Sequence, residues 1–158
     1  MVTGVQKEVI DAIQIRMTEL GYATRTKEDG DLTLLQIALE AVGHEDNGNA
    51  LLEFCFLPIP EDDELPADLH LFQIYTTLVP KVPAKNKNKV LQTINEVNME
   101  SVIGAYGIYE EQMQIYHRHV MVLRGNDHER LMENITPSLN WILYAIEEDY
   151  LTLTALCS

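Results

Sequence analysis

Cations are scarce in this sequence. Eleven lysines and arginines stand against twenty-five aspartates and glutamates, a net charge of −14. A polyanion releases no counterions on meeting such a surface, so nucleic acid and anionic membrane are excluded as partners. Between Lys27 and Lys81 there is no lysine or arginine, while twelve carboxylates fall in that interval. Cysteine is nearly absent too. Cys55 and Cys157 lie far apart with no paired spacing, which signals neither a disulfide framework nor a zinc knuckle and leaves two reduced thiols. No uncharged apolar run reaches the roughly 18 residues of a membrane span. The opening stretch "MVTGVQKEVIDAIQIRM" puts Glu8 and Asp11 where a signal peptide needs an unbroken apolar core, and the expected location is the cytoplasm. A glycine-rich phosphate loop, a Gly-x-Ser-x-Gly elbow and a cysteine tied to a motif histidine are all missing. The expectation is therefore no enzyme and no cofactor.

What is present suffices for one domain. The chain has 158 residues, 46% of them hydrophobic and 23% charged, a globular composition. Val5, Val9, Ile13, Met17 and Leu20 recur at helical spacing, and Gly21 follows where a left-handed terminating residue is wanted, so a helix is expected over about residues 3 to 20. The period then changes to two. Asp29 and Gly30 suit a tight turn between two short runs able to pair, and Leu35, Ile37 and Leu39 alternate with Gln36, Ala38 and Glu40. Asn47-Gly48 repeats the turn signal ahead of "ALLEFCFLPI", a second strand of the meander. A solvated acidic loop over residues 60–68 leads to a third strand, "LHLFQIYTTLV", closed by Pro80 and Pro83. Lysine-rich "KNKNK" opens a second helix running to about Ser101, with Val90, Leu91, Ile94, Val97 and Asn98 on one stripe; the four lysines from 81 to 89 read as a solvated turn and helix start. "VIGAYGIYEEQMQIYHRHVMVL" reads as two strands joined at Glu110 and Glu111, with Gly104 and Gly107 suggesting close backbone approach or a bulge. A final helix starts with Asn126 capping ahead of Glu129 and carries Leu131, Ile135, Leu139, Ile142 and Ile146; Pro137 makes it one kinked helix or two consecutive ones. The tail "TLTALCS" is apolar enough to dock. The fold class expected is α+β, an antiparallel five-stranded sheet with helices packed on it, in the order α-β-β-β-α-β-β-α.

Two histidines invite a metal reading. His117 and His119 share one face of the last strand, with α-carbons about 7 Å apart. Zinc or copper needs a third protein ligand, and His44, His70 and His128 sit in turns or at element ends with no motif tying them to that face. The structural expectation is that the two rings cover the less buried part of a sheet face. A metal- or small-ligand sensor built on His117 and His119 is the alternative function. "EDGD" and "EDNG" lack the spacing and closing glutamate of calcium loops and read as hairpin turns.

The element order, and the stretch "VLQTINEVNMESVIGAYGIYEEQMQIYHRHVMVL" with Ile94, Asn95 and Asn98, resemble the YbjN-like family, which shares the fold of type III secretion chaperones. The resemblance covers nearly the whole chain in element order. It implies a non-enzymatic protein that binds another polypeptide, chaperone-like or regulatory, and that forms a homodimer. A sheet covered on one face by helices leaves its other face free for a partner, and a contiguous apolar patch involving Phe54, Phe56 and Tyr75 is expected there.

Overall fold

The computed structural model describes residues 3–61 and 64–158; Asp62 and Asp63, within the expected acidic loop, lie outside the described residues. Helix α1 covers Gly4–Glu19 and has both ends closed by local chemistry. At its start the Thr3 hydroxyl accepts from the Gln6 N–H while the Gln6 side chain accepts from the Thr3 N–H, the reciprocal arrangement that satisfies two orphan donors. At its end Gly21, at φ +90°, lets the Tyr22 N–H reach back to the Met17 carbonyl.

Four strands follow: β1 (Thr24–Asp29), β2 (Leu32–Glu40), β3 (Asn49–Leu57) and β4 (Leu69–Lys81). A single 3-10 turn at Val42–His44 sits between β2 and β3. Helix α2 spans Lys87–Glu100, strands β5 (Ala105–Tyr109) and β6 (Gln114–Arg124) form a hairpin, and α3 runs from His128 to Thr154. All strand pairs are antiparallel, and the sheet reads β1-β2-β3-β4-β6-β5 across.

The sheet has six strands where five were expected. The added one is β1, "TRTKED", the run ahead of the Asp29-Gly30 turn, which pairs with β2 as that turn suggested but is exposed at every residue but its first and shows no apolar alternation. It is held by its ladder to β2, from Thr24 opposite Ile37 to Asp29 opposite Leu32. Strand β4 also runs on through Pro80. Proline has no N–H to give the ladder, and the pairing with β6 shifts register between Thr77 and Lys81, where the Gln114 side chain donates to the Val79 carbonyl instead. The last helix is one continuous element of 27 residues despite Pro137, and its cap is Asp127, whose carboxylate accepts from the Glu129 N–H, one residue later than expected.

The three helices lie on one face of the sheet. That face supplies Leu35, Ile37, Leu52, Phe54, Phe72, Ile74 and Ile115, all fully buried, against Val9 and Ile13 of α1, Val90 and Ile94 of α2, and Leu131, Ile135, Ile142 and Ile146 of α3. His70 ties α1 to the β6–α3 corner: its Nε2 lies 2.9 Å from the Gly125 carbonyl, so it donates there and leaves Nδ1 to accept from the Gln6 amide at 3.1 Å. The C-terminal tail docks on the end of β4, where Ser158 and Lys81 exchange both backbone hydrogen bonds.

Candidate functional site

Parity along the strands decides which face each candidate residue serves. Glu53 stands opposite Tyr75, and Tyr75 opposite Arg118; Phe54 stands opposite Ile74, one residue out of phase. Phe54 and Phe56 therefore point into the core under the helices, stacked and tilted against Phe72 at 5.9 and 5.0 Å between ring centroids. Only Tyr75 is on the open face. The expectation that all three form one patch there is corrected by that one-residue offset.

The open face carries a polar row across its middle. Arg25 donates to Gln36 at 2.6 Å, Gln36 donates to Glu53 at 2.7 Å, and Arg118 donates to Gln73 at 2.7 Å. Tyr75 and Tyr116 stack at 5.2 Å, and burial together with the neighbouring Tyr116 and Glu53 pushes the Tyr75 phenol up to about 12. Tyr116 lies over Gly107, where any β-carbon would meet its hydroxyl at 2.5 Å, which is the close approach the glycine suggested. Cys55 is buried beneath this row and its thiol is pushed up to about 11 by burial and by Glu53, so it stays protonated and inert at neutral pH. Cys157 is likewise a free thiol.

The histidine pair is divided by depth. His117 is fully buried on the helix-covered face, edge-on to Tyr106 at 4.8 Å, with Nε2 3.0 Å from the Ile103 carbonyl. Burial lowers its pKa, as it does that of half-buried His119. His117 thus belongs to the core and does not cover the less buried part of the sheet face. Its Nδ1 and the Thr76 hydroxyl, on directly paired residues, are buried without a hydrogen-bond partner. Among the described residues no group of three or more histidine, cysteine, aspartate or glutamate side chains is placed to hold a metal ion.

Tyr106 leads outward from His117 to a different place. Its hydroxyl donates to Asp149 on α3 at 2.9 Å, and burial and the Asp149 charge both push its pKa upward. Its backbone N–H and carbonyl are both taken by the side chain of Asn98, at 2.8 and 2.9 Å. Asn98 thus stands where a further strand would pair, and α2 is pinned to the edge of β5. Beyond Asp149 lies a cleft of about 400 Å³ between the end of α2, the 101–104 turn and the outer side of α3. Val102, Trp141, Tyr144, Glu100, Glu148 and Asp149 line it, with no lysine or arginine among the lining residues.

The cleft is apolar and acidic together. Val102 is 78% exposed, Tyr144 58% and Trp141 46%, and the Trp141 and Tyr144 rings lie 5.7 Å apart. Asp149 has its pKa raised by burial and by the charges of Glu148 and Glu100, against the lowering effect of the Tyr106 hydroxyl. The charges of Glu148 and Glu100 thus fall on Asp149, and no lysine or arginine lines the cleft to offset them. A signal for this site exists in the sequence: Trp141, Tyr144 and Glu148 recur at helical spacing out of phase with the inner stripe of Ile135, Leu139, Ile142 and Ile146. The Tyr106–Asp149 bond has no such signal, since its partners are 43 residues apart.

No helix among the described residues is long and apolar enough to cross a membrane. No curated protein matches the chain. Among solved structures, the crystal structure of YbjN from E. coli is similar with a TM-score of 0.43 and 14% identity, over 95% of this chain and 93% of that one. The family model for YbjN, described as "Putative bacterial sensory transduction regulator", matches residues 65–154. That span is more than half of the chain and runs from β4 through the end of α3, and the chain belongs to the YbjN family.

Proposed function

We propose that this chain is a non-enzymatic regulatory module that acts by holding a segment of another polypeptide in the α2–α3 cleft. The observation that carries the reading is the pair of exposed aromatic rings, Trp141 and Tyr144, beside a formed depression. Tryptophan and tyrosine on a surface offer large contact area at low conformational cost, and they are enriched where proteins bind proteins. The family's description as a sensory transduction regulator agrees with a role in binding rather than chemistry. The open sheet face, with its polar row, is the less suitable surface.

A photo-crosslinking residue placed at position 144 is expected to join the protein to another polypeptide in its native host, while one at position 75 on the open face does not. Crosslinks from position 75 alone would contradict the reading. The homodimer implied by the family resemblance belongs to the same proposal. Such a dimer does not form by strand addition, because β1 is charged along its length and Asn98 occupies the β5 edge. Sedimentation across a dilution series tests that part, and a monomer at every concentration removes it while leaving the cleft reading intact.

A further inference from the structure

The chemistry of the cleft narrows the kind of segment it can take, an inference that rests on the reading above. Its apolar surface comes from Trp141, Tyr144 and Val102, and its charge comes from Glu100, Glu148 and Asp149. Asp149 is committed to the Tyr106 hydroxyl, and Glu148 lies 4.0 Å from the His44 ring. Anionic and neutral polar segments gain nothing from that field. A cation does, twice over: it is attracted to the carboxylates that line the cleft, and it is attracted to the face of an indole ring within about 6 Å of its centroid. Arginine suits both demands, since its planar guanidinium stacks on an aromatic face while presenting a fork of donors to a carboxylate.

We propose that the α2–α3 cleft takes a short cationic segment of a partner polypeptide, an arginine or lysine lying against Trp141 with its charge met by Glu100 and Glu148. Apolar side chains flanking that cation fill the space beside Tyr144 and Val102. The overall charge of −14 steers such a segment toward the protein before contact. The competing occupant is a second copy of this chain, whose lysines at 81, 85, 87 and 89 form its own basic cluster.

Trp141 is the single tryptophan of the chain, so its emission reports this cleft alone. The full-length protein is titrated with a short peptide of alternating leucine and arginine, and in parallel with its leucine–glutamine counterpart. The arginine peptide is expected to shift Trp141 emission saturably and to bind at least about ten-fold tighter than the glutamine peptide. The double variant Glu100→Gln with Glu148→Gln, which keeps the reporter and changes only exposed side chains, is expected to weaken the arginine peptide by about three-fold per carboxylate. Added salt weakens it further. Equal affinity for both peptides overturns the cationic inference and leaves the polypeptide-binding reading standing. Silence of both peptides, in emission and in calorimetry, overturns that reading as well. Emission that changes on dilution of the protein alone assigns the cleft to a second copy, against the proposal.

Discussion

Gly104 is the residue on which the inner end of the site depends most. It sits at φ +67°, and a β-carbon there would come within 2.5 Å of the His117 ring and 2.8 Å of the Arg118 carbonyl. Replacement by alanine combines a left-handed backbone penalty with displacement of a fully buried ring. Gly104→Ala is expected to lose about 2–4 kcal/mol of stability, read from the urea midpoint; an unchanged midpoint would mean that the turn relaxes freely. His117 also sets a pH dependence. Its folded pKa lies below the ordinary 6.5, so the unfolded chain binds the proton first and stability falls as pH drops below 6.5. Asp149 works in the opposite sense in a more acidic window, because its raised pKa makes its charge a cost once pH rises above 3.8. Denaturation of His117→Asn beside the parent is expected to show a shallower loss between neutrality and the carboxylate range, by up to about 1.4 kcal/mol per pH unit. The same slope in both proteins would assign the dependence elsewhere. At this scale the sequence tells much about type and little about partner. The alternation of β6 puts His117 and His119 on one face, but their difference in depth depends on β5 and Tyr106 covering only the first of them.

Helix α3 joins the two functions of the molecule, core and surface, on opposite sides. Its inner stripe of Leu131, Ile135 and Ile142 is fully buried against the sheet, while Trp141 and Tyr144 face outward. Ile135→Ala is expected to cost about 2–5 kcal/mol, whereas Tyr144→Ala stays within about 0.5 kcal/mol of the parent. Thermal denaturation of the two variants checks the contrast, and a Tyr144 variant as unstable as the Ile135 one would make that ring part of the core. Elements with apolar periodicity are legible from sequence, and β2, β3, β4, β6 and the three helices carry it. Strand β1 does not, since five of its six residues are exposed; it is held by its pairing with β2 and by hydrogen bonds between Gln14 and Thr18 of α1 and the Thr24 hydroxyl. The α3 cap moved from Asn126 to Asp127 for a simpler reason. Both are good capping residues in adjacent positions, and only the geometry of the turn after β6 chooses between them.

The sheet edges of the molecule are blunted, by charge on β1 and by the Asn98 side chain on β5, so strand addition is closed off as a way of meeting a partner. The open sheet face is crossed by a hydrogen-bonded polar row, whereas the α2–α3 cleft sets exposed aromatic area beside three carboxylates with no lysine or arginine lining it. The central claim is that binding occurs there. An amide chemical-shift map of the isotope-labelled protein, titrated with the leucine–arginine peptide, tests it most directly. The account predicts shifts confined to residues 97–103 and 141–152, together with the Trp141 indole N–H; shifts centred on Gln36, Glu53, Tyr75 and Arg118, with the cleft undisturbed, would contradict it.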